Sequence, residues 1–169
     1  MPRLFLRLLP LAQVLALGLV AAPLLAQQDE PIVVYLVRHA ERAEDGTNDP
    51  PISPAGEQRS RLLATMLRDA ALTHIHTTDY LRTRATAAPV ALDTGIEPVV
   101  YDSEELDVLA ARLRAAPGRH LVVGHSNTTH ELVAALGGDP GGPIEPDEYD
   151  RLYMLTLTEA AVTTVLIRF

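Results

Sequence analysis

Two histidines and two arginines, in three short segments, have the types and spacing to do chemistry together. They are Arg38-His39, Arg82, and the His125 of Gly124-His125-Ser126-Asn127. A phosphate dianion needs positive charge and several hydrogen-bond donors. Arginine offers a fork that matches two phosphate oxygens and stays protonated. A neutral imidazole can attack phosphorus without a metal, and neighbouring positive charge favours that neutral form. A second histidine, once protonated, can hold an equatorial oxygen as charge redistributes in the transition state. Backbone N–H groups at the start of the helix after Asn127 would add donors and a favourable dipole. An acid must also protonate the leaving group and later help water attack.

The elements that must position these groups can be read from the hydropathy pattern. Ile32–Val37 and His120–Val123 are continuous apolar runs rich in β-branched residues, the mark of strands buried on both faces. His74–Thr77 and Val99–Tyr101 are shorter strands. Ser53-Pro54 reads as an N-cap followed by proline at the first helical position, with Leu62, Leu63, Met66, Leu67 and Ala70 on one face. Further helices are expected over Tyr80–Leu92, over about residues 105–115, and up to Leu136, the last with Thr128 and Glu131 as a capping-box pair. Two final strands, about 151–157 and 162–168, read as a hairpin. Alternating strands and helices predict an α/β fold: three α/β/α layers, a mostly parallel sheet and a C-terminal antiparallel hairpin. The three chemical segments then follow strand ends, where open α/β sheets place ligand sites.

At these residues the chain resembles the histidine phosphatase superfamily, also called phosphoglycerate-mutase-like. Val37-Arg38-His39-Ala40-Glu41 looks like its RHG or RHA signature. The run from Thr77 to Ala87, with Arg82 and Thr86, looks like its S-S-x-x-x-R-A-x-x-T-A block. Val122–Thr128 looks like its second-histidine block, and Asp49–Gly56 resembles its D-x-x-L-[ST]-x-x-G step. The order and spacing agree over about residues 32–137, in a build similar to the short phosphohistidine-phosphatase-like branch. The resemblance implies that His39 becomes phosphorylated, that Arg38, Arg82 and His125 complete a phosphate pocket, and that Asn127 touches phosphate. Arg82 rather than Arg84 aligns with the family arginine.

The chain also departs from family patterns. Mutase-type members carry Asn where Asp45 stands, and an acid in a Trp-containing segment; here there is no Trp, and the nearest carboxylates are Glu104 and Glu105. Phytase-like relatives carry Asp after the second histidine, where Ser126 stands. The general acid is therefore unassigned, with Glu41 the first candidate and Glu104 or Glu105 behind it. Other polar groups read as structural. His74 and His76 alternate on a strand face, His120 and His130 lie outside the motifs, and Glu41, Glu44, Asp45 and Asp49 form a solvated loop rather than a cation site. Thr77-Thr78 could position phosphate or cap the next helix.

Residues 1–26 carry Arg3 and Arg7, then an apolar run from Leu8 to Ala26, the pattern of a secretory signal peptide cut after Ala26. The alternative is an uncleaved membrane anchor. Residues 27–169 suit one domain. All 22 acidic residues lie there, whereas two of the 14 basic ones precede it, so the domain is more acidic than the whole chain's −8. Such a surface argues against nucleic acid as a partner. The absence of cysteine excludes disulfides, thiolate metal sites and a Cys nucleophile. The expectation is a periplasmic or secreted phosphatase that needs no metal or cofactor. Its substrate would be a small phosphorylated molecule or an envelope phosphate group. The alternatives are a non-catalytic phospholigand-binding protein and a phosphomutase.

Overall fold

The computed structural model describes residues 31–169. The expected signal peptide and its cleavage position lie outside the described residues. Among those residues, no helix is long and apolar enough to cross a membrane. The elements run β1 (Ile32–Arg38), α1 (Pro54–Leu67), β2 (His74–Thr77), α2 (Leu81–Thr94), β3 (Val99–Val100), α3 (Leu106–Ala115), β4 (Arg119–Gly124), α4 (Ser126–Ala135), β5 (Arg151–Leu157) and β6 (Val162–Arg168).

They form one six-stranded sheet in the order β3-β2-β4-β1-β5-β6. β1, β2, β3 and β4 are mutually parallel where they pair, while β5 pairs antiparallel with both β1 and β6. Strand alternation divides the core into two layers. Val34 and Leu36 face Leu109, Leu113, Leu132 and Leu136 of α3 and the α4 end. Val33, Tyr35 and Val37 face Leu63, Leu67, Ala87 and Val90 of α1 and α2. The fold is therefore α/β/α with a mostly parallel sheet and a C-terminal hairpin.

Local chemistry explains the element ends near the site. Ser53 caps α1 through its hydroxyl, which accepts from the Gly56 N–H at 3.2 Å, with Pro54 in the first helical position. Gly56 lies so close to the main chain after β1 that a Cβ there would collide with the Glu41 carbonyl. Gly95, with φ 71°, stops α2 in the left-handed conformation. The expected Thr128–Glu131 capping box does not form. α4 starts at Ser126, so Thr128 sits in its first turn and its hydroxyl accepts from the His125 N–H at 3.1 Å. That earlier start brings the first turn of the helix to the end of β4.

Candidate active site

β4 inserts between β1 and β2, so the carboxyl ends of three adjacent parallel strands open on one side of the sheet. The ends of β1 and β4 are tied together, with the His39 N–H donating to the Gly124 carbonyl at 2.9 Å. Behind His39, the Ala40 N–H donates to the Thr86 hydroxyl at 2.9 Å, which anchors the turn to α2. These ties bring the imidazoles of His39 and His125 to a centroid separation of 5.4 Å, edge to face at 67°. Arg38, His39 and His125 are 9%, 5% and 9% exposed. All three line a cavity of about 470 Å³ together with Arg82, Arg42, Tyr80, Glu104, Asn127 and Tyr149.

His39 is oriented by its own backbone. Its Nδ1 lies 2.8 Å from the Ala40 carbonyl, which can only accept, so the proton sits on Nδ1 and the Nε2 lone pair remains. Burial pushes its pKa down to about 3; the Ala40 bond opposes that shift, and the charges of Arg38, His125 and Arg82 reinforce it. His39 is thus neutral across the physiological range. The Nε2 of His125 lies 2.9 Å from the Thr78 hydroxyl, which in turn meets the Thr83 hydroxyl at 3.0 Å. Burial, then Arg82 and Arg38, push His125 down to about 4, with Asp49 opposing the shift.

The arginines are held in different ways. Arg82 pairs with Asp49 at 3.2 Å and lies over the Tyr80 ring, 4.2 Å from its centroid. Arg38 donates through Nη1 to two loop carbonyls and lies over Tyr149. The Nε atoms of both arginines are buried without a partner, which leaves donors to be satisfied by an anion.

The structure brings together Arg38, His39, Arg82, His125 and Asn127, and separates the three candidate acids. Glu41 is turned away from the cavity. Its carboxylate takes both Nε and Nη2 of Arg59, at 3.0 and 2.7 Å. Burial raises its pKa, but the hydrogen bonds and charge of Arg59 outweigh that and hold it below the ordinary carboxylate value. A carboxyl so committed is a poor proton donor, which corrects its first place among the candidates. Glu104 lines the cavity, whereas Glu105 is the N-cap position of α3 and does not. Asp49, expected in a solvated loop, instead accepts from the Leu81 N–H at 3.1 Å and fixes Arg82. Sequence reasoning also missed Tyr80 and Tyr149. An aromatic in an acidic, Pro-rich loop was the one signal available for Tyr149.

Comparisons with known proteins agree with this geometry. Residues 34–107 match the family model of the histidine phosphatase superfamily (branch 1). The chain is 40% identical over 76 residues to the probable phosphoglycerate mutase GpmB of Escherichia coli (strain K12 / DH10B). That stretch is 41% of this chain and 35% of the relative, so the chain spans about a third of the length of the curated relatives it matches. The protein histidine phosphatase SixA, solved with tungstate, superposes with a TM-score of 0.66 at 22% identity, over 80% of this chain and 96% of that one. The putative phosphohistidine phosphatase SixA from Agrobacterium tumefaciens superposes with a TM-score of 0.56 at 26% identity, over 75% and 92%. Over residues 34–107, with its motifs on three adjacent strand ends, the chain is similar to the histidine phosphatase superfamily, and it shares the fold of the solved SixA chains.

Proposed function

We propose that this chain is an exported phosphatase that hydrolyses phosphomonoesters or phosphoamidates through a phosphohistidine on His39. The observation that carries the proposal is the state of His39: a neutral imidazole with its proton committed to the Ala40 carbonyl, facing a cavity lined by arginine. Arg38, Arg82, His125 and the first turn of α4, with Asn127, bind the phosphoryl oxygens. The dianion itself raises the pKa of His125, which then donates as a cation to the transferring group. The His39 Nε2 attacks phosphorus, forming the P–N bond as the P–O bond to the leaving alcohol breaks. Glu104 gives the proton that the alkoxide takes. In the second half Glu104 removes a proton from water as the water oxygen attacks phosphorus. The new P–O bond forms while the P–N bond breaks, which releases phosphate and returns the lone pair to His39 Nε2.

The apolar segment at residues 8–26 supports export to a periplasmic or extracellular space, with the membrane involved only if that segment stays uncleaved. Substrates in that compartment would be small phosphate esters or phosphate groups of the envelope. The acidic surface disfavours nucleic acid. The test is inorganic phosphate release from a phosphoester panel by the purified protein, run beside His39→Ala. Turnover that disappears in the variant is expected. Phosphate binding without turnover by either protein would favour the binding-protein reading. Turnover dependent on an added bisphosphate would favour a mutase.

A further inference from the structure

Arg38 is held from above by a loop that the mechanism does not otherwise use. Its Nη1 donates to the main-chain carbonyls of Glu145 and Glu148, at 3.0 and 2.8 Å. Its guanidinium carbon lies 3.9 Å from the centroid of the Tyr149 ring. Nη1 is therefore spent on protein, and the planar face is stacked. The edge formed by Nε and Nη2 remains, and Nε is buried with no partner. Side-on recognition of two phosphate oxygens uses that edge.

The two carbonyls are presented by a closed turn. The Glu148 N–H donates to the Glu145 carbonyl at 3.0 Å, and the Glu148 carboxylate accepts from the Glu145 N–H, also at 3.0 Å. The same carboxylate takes Nε and Nη2 of Arg151, at 2.6 and 2.8 Å, and pairs with Arg168 of β6. Arg151 in turn donates to the carbonyls of Gly142 and Pro143. One carboxylate thus closes the turn and fastens it to the β5–β6 hairpin. Only 14% of its side chain is exposed, which is low for a surface glutamate and consistent with a structural anchor.

We propose that Glu148 is a positioning residue for phosphate binding: it locks the 145–148 turn, whose carbonyls and neighbouring Tyr149 hold Arg38 with its Nε edge towards the phosphoryl group. The proposal rests on the phosphatase reading for its ligand, phosphate, but not on turnover. The claim is that Glu148 acts through Arg38, and a double-mutant comparison isolates that claim.

The affinity for inorganic phosphate and the kcat/KM for an aryl phosphate would be measured for the wild type, Glu148→Ala, Arg38→Lys and the double variant. Thermal midpoints would confirm folding. Glu148→Ala is expected to weaken phosphate binding and lower kcat/KM ~10-fold or more, since a misplaced binding group is costly. In the Arg38→Lys background the same change is expected to cost less than about two-fold, because a lysine cannot use the clamp. Glu148→Gln keeps an oxygen acceptor for the Glu145 N–H and should recover part of the loss. It also carries the comparison if Glu148→Ala does not fold. An equal loss in both backgrounds, or no loss in the wild-type background, overturns the proposal. Phosphate binding without turnover would sink the phosphatase reading and still test the clamp.

Discussion

Five of the six histidines fall into two clusters, and the two clusters differ in what surrounds them. His39 and His125 meet edge to face at the rim of the sheet. His74, His76 and His120 instead stack across β2 and β4, with His74 and His120 centroids 4.5 Å apart and 13° from parallel. Both clusters contain imidazoles whose pKa burial pushes down: His39 to about 3, and His125 and His76 to about 4. A depressed histidine pKa therefore reports burial and does not by itself mark a site. The stack spends most of its nitrogens on protein groups, although the His76 Nδ1 is buried without a partner. His76 Nε2 meets His120 Nδ1 at 3.2 Å, and His120 Nε2 donates to the Ala116 carbonyl at 3.0 Å. The cations differ as well. Arg38 and Arg82 flank the active pair across an open cavity, whereas Arg112 of α3 is the charged group that faces His76 besides its two histidine neighbours. Among the described residues no group of three or more His, Cys, Asp or Glu is arranged to hold a metal.

This contrast can be broken or sharpened by substitution. The largest effect is expected for His39→Ala, with kcat/KM for an aryl phosphate falling ~10⁴-fold or more, because the covalent route is lost. Next is Arg82→Ala, where removal of one preorganised cation should cost on the order of 10²–10³-fold in kcat, measured under saturating substrate. Glu104→Gln should lose about 10²-fold on an alkyl phosphate and far less on a phosphate with an acidic leaving group. An equal loss on both would remove Glu104 from the acid role.

The smallest effect on activity belongs to the other cluster. His76→Gln keeps a donor for His120 and should leave kcat/KM within about two-fold of the wild type. Its signature is in stability. The folded pKa of His76 lies below its unfolded value, so the unfolded chain takes up the proton first. The contribution of His76 to stability is complete above about pH 6.5 and declines as pH falls towards 4, by roughly 3 kcal/mol at most. His39 and His125 act with the same sign in both proteins. The urea midpoint of His76→Gln should therefore fall less steeply than that of the wild type between pH 7 and 5. Equal slopes would show that the stack is not an acid-sensitive part of the core.

The sequence made the scaffold legible where local pattern and burial agree. The apolar runs of β1 and β4 read as strands covered on both sides, and their parallel pairing in the sheet places Arg38-His39 beside Gly124-His125. Pairings set by distant backbone were hidden. Arg38 meets carbonyls more than a hundred residues away, and neither Glu148 nor Tyr149 carries a motif. Glu41 lies in the first motif, yet its fate is decided by Arg59 on the next helix, where the register of α1 sets the reach. Thr128 and Glu131 have the spacing of a capping box, but the observed N-cap is His125, three residues earlier, directly after Gly124. Its lack of a Cβ matters there, since one would press on the Tyr101, Thr128 and Thr129 hydroxyls at 2.9–3.1 Å.

The most direct test of the account is to trap the intermediate. The protein would be mixed with a phosphoester labelled in its phosphoryl group and quenched in alkali, which preserves a phosphoramidate, and the labelled peptide would be mapped. Label on the Nε2 of His39, absent from His39→Ala, is the predicted result. Turnover that persists in His39→Ala, with no label on any histidine, would contradict the account and mean that water attacks the bound phosphate directly.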